Sequence, residues 1–331
     1  MSKGPFPKLD ELLQQGFIPE KFHQILMNFC IGYKKELEKH NLSLEKQQPI
    51  LDTYLELIKE QIKNPYPFEL FHKQILKPFN YYHFGIEFLR PLVDMSASSA
   101  LGLNYAEEIN ELVKRGENVI LFANHQIEAD PQAISLLLEK TYPNLSREMI
   151  FVAGHRVVTD PLAVPFSMGR NLLCIYSKRY IDRPPEQKMQ KQLHNKKTME
   201  KMSALLKEGG KVIYVAPSGG RDRPNEKGNV EVDPFDPQSI EMFYLMAKKA
   251  SHPTHFYTLA LSTYDILPPP EIIQVELGET RSTKRGGIHL CFGKEIDMEQ
   301  FSPSTHPDKH LRRELRADFI WQQVKHDYAK F

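Results

Sequence analysis

The sequence predicts an α/β fold: a mixed, largely parallel central sheet flanked by helices, preceded by a small N-terminal helical bundle. Three observations lead there. From about residue 104 onward, apolar runs of strand length alternate with helix-length stretches, the pattern of a sheet covered on both faces. The first hundred residues carry helical periodicity instead. A connector of small residues, "DMSASSALGLN" at 94–104, lies where the character changes. A chain of 331 residues accommodates two unequal units, expected as a helical bundle domain over 1–78 and an α/β domain over 79–331.

In order along the chain, residues 19–40 place Phe22, Ile25, Leu26 and Phe29 on one helical face. Residues 43–64 repeat the pattern with Leu51, Leu55, Leu57 and Ile58, with a bend expected near Pro49 and a stop at Pro65 and Pro67. Residues 68–92, rich in aromatics and interrupted by Pro78, read as a third helical stretch. Helices joined by short connections pack as antiparallel neighbours. Asn104 with Glu107 forms a capping-box pattern opening a helix over 105–115. Strand-like runs follow at 117–123, 149–154, 171–177, 211–217, 255–262, 272–278 and 287–293, and helix-like runs at 131–142, 186–207, 237–250 and 307–330.

Composition removes several classes. A net charge of +1 argues against bulk binding to nucleic acid, so any basic site is local. No apolar run reaches 18 residues, so no spanning helix is expected. The opening "MSKGPFPKLDELLQQ" has no apolar core and is not poor in acids, unlike a secretory signal or a transit peptide. The expected location is therefore a bacterial cytoplasm, or alternatively a plastid stroma after removal of a leader. Cys30, Cys174 and Cys291 are scattered and odd in number, which fits a reducing compartment better than a disulfide framework or zinc cluster. No metal motif occurs, Cys174, His255 and His289 read as structural, and neither metal nor cofactor is expected.

The chemistry concentrates at three strand ends. "ANHQIEADP" (123–131) leaves the apolar run Val119–Phe122, where ligands bind in open α/β sheets. Asp130-Pro131 is also a good helix start, with Asp at the N-cap and Pro at N1, so Asp130 as a mere cap and His125 as a mere loop residue stand as the bland reading. Together they allow another: Asp130 accepts the His125 Nδ1–H, fixes the tautomer and leaves Nε2 as a base. No serine nucleophile is needed if the substrate brings the hydroxyl. At the second end, Ser177-Lys178-Arg179-Tyr180 is either a solvated strand end or part of an anion site. At the third, the turn Pro217-Ser218-Gly219-Gly220 precedes Arg221 and Arg223. Glycine permits unusual backbone and close approach, and arginine holds phosphate bidentately. Ser218 as a nucleophile does not fit G-x-S-x-G. The three ends together describe removal of a proton from a hydroxyl on a molecule held by its phosphate.

The "NHxxxxDP" box, "YSKRYID" (176–182), "APSGGRDRP" (216–224) and "LPPP" (267–270) resemble the soluble, plastid-type glycerol-3-phosphate acyltransferases over most of the chain. Lysophosphatidate-type relatives carry "PEGTR" where this chain has Ser218 and Gly220 in place of Glu and Thr. The resemblance implies that His125 is the general base on the sn-1 hydroxyl of glycerol 3-phosphate and that Asp130 orients it. It implies direct attack on an acyl thioester, without an acyl-enzyme. It also implies phosphate anchoring by Arg221, Arg223 and Arg179, with Lys178 nearby. A Lys-His pair of the family falls on Arg179-Tyr180, so the second cation is missing and Tyr180 is at most a secondary donor.

Residues 186–207 bear Lys188, Lys191, Lys196, Lys197 and Lys201. They read as a solvated basic face or, with Lys191, Lys196 and Lys197 in front, as a docking surface for an acidic acyl carrier protein. Transient contact of a monomer with a bilayer surface is expected, because the product is a lipid. Acylation of lysophosphatidate, a thioesterase and a non-catalytic lipid- or carrier-binding module are the competing readings.

Overall fold

The computed structural model describes residues 6–270, 277–301 and 307–331, with the Arg179 side chain outside that description. The chain opens with α1 (Pro7–Gln14), α2 (Glu20–Lys39) and α3 (Leu44–Lys63). There follow β1 (Phe71–His72), α4 (Tyr81–Leu89), β2 (Ser99–Leu101), α5 (Leu103–Lys114), β3 (Asn118–Ala123), α6 (Asp130–Leu138) and α7 (Pro143–Glu148). Next come β4 (Ile150–Gly154), α8 (Val164–Ser167), β5 (Asn171–Ile175), α9 (Lys178–Ile181), α10 (Lys188–Glu208) and β6 (Val212–Val215). The last are β7 (Arg223–Pro224), β8 (Val230–Glu231), α11 (Pro237–Lys248), β9 (Thr254–Ser262), β10 (His289–Glu295) and α12 (Lys309–Tyr328).

The large sheet runs β1-β5-β4-β6-β3-β9-β10-β2. From β5 to β9 every neighbouring pair is parallel; β1 and β10 add antiparallel strands, and β2 runs parallel to β10. This is the mixed, largely parallel α/β sheet expected. In β3 every residue is buried, because strands flank it on both sides and helices cover both faces. The C-terminal ends of β3, β4, β5 and β6 therefore open on one edge.

Helices α2 and α3 form where periodicity put them, and α3 continues through Pro49. Phe29, Tyr33, Tyr54 and Ile58 share one apolar core with Phe84 and Phe88 of α4 and with Ile127 and Ala133 beside the first strand end. Their buried hydroxyls are satisfied: Tyr33 donates to the Phe88 carbonyl at 3.1 Å and Tyr54 to that of Leu162 at 2.8 Å.

Three local expectations need correction. Residues 68–92 are not helical throughout: Phe71 and His72 pair with β5, and helix begins only at Tyr81, capped by Asn80 accepting the His83 N–H at 2.9 Å. Prolines at 65, 67 and 78 remove donors on both sides of the segment, and pairing with β5 supplies the alternative. The helix expected over 105–115 starts at Leu103, after Gly102 at φ 66°, with no side-chain cap. A Cβ on Gly102 would lie 2.0 Å from the Phe292 carbonyl oxygen, so close approach to β10, not Asn104, sets that start. Asp130 is the first residue of α6, and Ala129 occupies the N-cap position. The strand expected at 272–278 lies almost wholly outside the described residues.

Candidate active site

Six residues connect β3 to α6, and the connection folds back on itself. His125 Nδ1 lies 2.7 Å from Asp130 Oδ2, with the imidazole 30% exposed and the carboxylate 1%. Asp130 also accepts the N–H groups of Gln126 at 2.8 Å and Ile127 at 3.3 Å and the Thr263 hydroxyl at 2.5 Å. Four donors from two strand ends thus fix one carboxylate. The arrangement commits Nδ1 as the donor and leaves Nε2 on the open side, the tautomer a general base needs.

The residues flanking His125 anchor the connection. Asn124 exchanges two hydrogen bonds with the Leu261 backbone, at 2.7 and 2.8 Å. Gln126 Oε1 accepts the N–H groups of Thr263 and Tyr264 at 2.7 and 3.0 Å. Both amides also donate to Asp222 Oδ2, at 2.7 and 3.2 Å. The Asp222 N–H in turn donates to the His125 carbonyl at 2.7 Å. Burial pushes the Asp222 carboxyl up to about 6, against the hydrogen bonds from Asn124, the Asp233 N–H and Gln126.

The turn after β6 brings the arginines in. Gly219 sits at φ 71°, where a side chain is disfavoured. The Ser218 hydroxyl donates to the Gly220 carbonyl at 3.2 Å, and no base bonded to it is described, as a nucleophile would need. Arg221 donates to Glu279 at 2.6 Å and lies 3.8 Å from Glu128. Arg281 Nε donates to the other Glu128 oxygen at 3.0 Å. Burial alone would raise the Glu128 carboxyl, but the charges of Arg281, Arg221 and Arg156 outweigh it and hold it at about 2. Arg223 donates to the Pro270 carbonyl at 2.6 Å. Arg221 is thus gathered beside the His125 connection, with its charge already met by carboxylates.

The β5 end is arranged differently from the expectation. Lys178 Nζ bonds Asp236 at 2.6 Å, the residue that caps α11. Tyr180 accepts from Arg156 Nη1 at 3.3 Å. The Arg179 side chain lies outside the described residues. Lys191 is not on the solvent face: it is buried, and its ammonium donates to the Tyr180 carbonyl at 3.0 Å and to that of Arg183. An inward charge cannot meet a partner, so Lys196 and Lys197, both exposed, remain of the docking trio. His155, beside Arg156, stays neutral: burial, with Lys191 and Arg156 adding, pushes it down to about 4.

Sequence reading missed Asp222, Glu128, Arg156, Glu279 and Arg281. Arg156 follows the end of β4, and the strand-end rule that found the others would have found it. Arg281 and Glu279 carry no local signal.

A histidine held by a buried carboxylate, at the C-terminal edge of a parallel sheet and beside gathered arginines, is an arrangement able to take a proton from a substrate hydroxyl. An acyltransferase family model matches residues 106–262, the span that holds the dyad and Arg221 and Arg223. The chain is 37% identical over 326 residues to the chloroplastic glycerol-3-phosphate acyltransferase of Spinacia oleracea, covering 98% of this chain and 67% of that one. It is 40% identical over 275 residues to one from Cucurbita moschata (83% and 59%) and 37% over 268 to that of Arabidopsis thaliana (81% and 58%). The chain belongs to this chloroplast-type glycerol-3-phosphate acyltransferase family. It spans about three fifths of the length of most of these relatives. Among the described residues, no helix is long and apolar enough to cross a membrane.

Proposed function

We propose that this chain transfers a fatty acyl group from acyl-[acyl carrier protein] or acyl-CoA to the sn-1 hydroxyl of glycerol 3-phosphate. His125 Nε2 removes the hydroxyl proton while Asp130 holds the ring and stabilises the imidazolium. The oxygen attacks the thioester carbonyl; the C–O bond forms, the C–S bond breaks, and the carrier thiolate leaves with the proton His125 took. No acyl-enzyme is required. Arg221, Arg223 and Arg179 anchor the phosphate, with Lys178 and Tyr180 in secondary roles. At Arg221 the phosphate exchanges with Glu279 and Glu128, so it arrives at a cation already positioned. Ser218, Gly219 and Gly220 let the backbone approach the substrate. Lys196 and Lys197 receive the acidic carrier. The setting is an aqueous compartment holding acyl carrier protein, a bacterial cytoplasm or a plastid stroma.

The 2.7 Å contact between His125 and Asp130, beside Arg221, carries this reading. The test is acyl transfer by the purified chain with glycerol 3-phosphate and lysophosphatidate as rival acceptors. Preference for glycerol 3-phosphate, abolished in His125→Ala, is expected. Preference for lysophosphatidate, or free fatty acid as the main product, overturns the assignment.

A further inference from the structure

Asp222 stands between two arginines in "GRDR" and bonds neither. The three side chains find different partners. Arg221 reaches Glu279 and Arg223 reaches the Pro270 carbonyl, while Asp222 turns inward and is fully buried. Its Oδ2 takes the Asn124 and Gln126 amides and its Oδ1 the Asp233 N–H at 3.1 Å. Its backbone N–H donates to the carbonyl of His125, the residue between those two amides. One residue therefore clasps the base's connection on three consecutive residues, and its immediate neighbours are the two arginines.

A carboxylate is an expensive choice for such a position. All three donors to its oxygens are neutral, and a buried charge without a cation is costly. Its raised pKa expresses that cost. Asparagine would fill the same space without the charge, but it offers one acceptor where Asp222 uses two, and its amide nitrogen would face a donor. The carboxylate also makes the clasp rigid: a charged acceptor holds its donors about twice as strongly as a neutral one.

We propose that Asp222 is a positioning residue that sets the separation between the His125 base and the Arg221–Arg223 anion anchor, registering both ends of one phosphorylated alcohol. The inference rests on the acyltransferase reading above. It predicts that loosening Asp222 raises the acceptor KM and leaves the donor KM in place, because base and anchor both hold the acceptor.

The test is Asp222→Asn in the full chain, followed by kcat, both KM values and the melting temperature. The expected result is a rise of about tenfold in the KM for glycerol 3-phosphate and a fall of about tenfold in kcat. The KM for the acyl donor stays unchanged, and any drop in melting temperature leaves the chain fully folded at the assay temperature. In an Arg221→Ala background the substitution should add little, since the two act on one geometry. Unchanged kinetics overturn the inference, as does activity that falls in step with the melting temperature and adds fully to Arg221→Ala. Should Asp222→Asn not fold, Gln126→Glu removes one donor to the same oxygen while keeping an acceptor for the Thr263 and Tyr264 N–H groups; an acceptor KM raised about threefold supports the inference and an unchanged one overturns it. A wild-type chain that does not acylate glycerol 3-phosphate fails the functional reading, and this inference with it. An active wild type with an unaltered Asp222→Asn fails this inference alone.

Discussion

His125 and His255 sit at opposite ends of the same pair of strands, and each lies within hydrogen-bonding distance of carboxylate oxygens. His125 follows the C-terminal end of β3 and gives one ring nitrogen to one carboxylate, Asp130, at 2.7 Å. His255 is the second residue of β9, paired in register with Val119, and gives both: Nδ1 to Glu295 at 2.6 Å and Nε2 to Glu117 at 2.7 Å. A histidine with both nitrogens committed has no lone pair to take a proton from a substrate, and two anions favour its charged form. Burial pulls the His255 pKa down, but the bonds to Glu295 and Glu117 outweigh it and leave it raised. A carboxylate beside an imidazole is therefore not a catalytic signature in itself; what matters is the nitrogen left over.

The largest effect separates the two. His125→Ala should cost about 10²–10⁴ in kcat, while His255→Ala should leave steady-state acyl transfer within a few-fold of wild type. Comparable losses would dissolve the distinction. Next, Asp130→Asn leaves the imidazole in place but reverses the polarity behind it. A loss approaching that of His125→Ala is expected, up to about 10⁴ in kcat; a loss below tenfold would mean the base needs no partner. Arg221→Ala should raise the KM for glycerol 3-phosphate about tenfold to a hundredfold, with the acyl-donor KM unmoved. An unmoved acceptor KM would take Arg221 out of the anchor.

The smaller effects concern stability and encounter. Because the folded pKa of His255 is raised, its pair contributes stability that is fully present below the unfolded value of about 6.5. That contribution fades as pH rises through the folded pKa. Melting curves should show wild type losing ground to His255→Gln across that rise, and parallel curves would contradict the charge assignment. Last, Lys196→Glu with Lys197→Glu should raise the KM for acyl carrier protein a few-fold at low salt, with kcat little changed; equal KM values would return these lysines to the solvated face.

The contrast between the histidines also marks how far sequence reached. The His125–Asp130 bond spans five positions, within what one loop can close, so residue types and spacing exposed it. The sheet was equally legible, because parallel strands buried on both faces read as continuous apolar runs. The partners of His255 are 138 and 40 positions away, and Arg281 lies 153 positions from Glu128. Nothing local announces contacts that only tertiary folding creates. Asp130-Pro131 shows a subtler limit: the same dipeptide serves a cap or a clamp, and Thr263, 133 positions on, shows the clamp. In 68–92, aromatic density suggested helix where the edge of the sheet needed a strand.

Lys191 has a mechanical consequence. By holding the carbonyls of Tyr180 and Arg183, it bolts the first turns of α10 to the short turn that carries residues 178–183. A load on the outer face of α10 therefore reaches residues 180 and 183, just past the end of β5, through those two bonds.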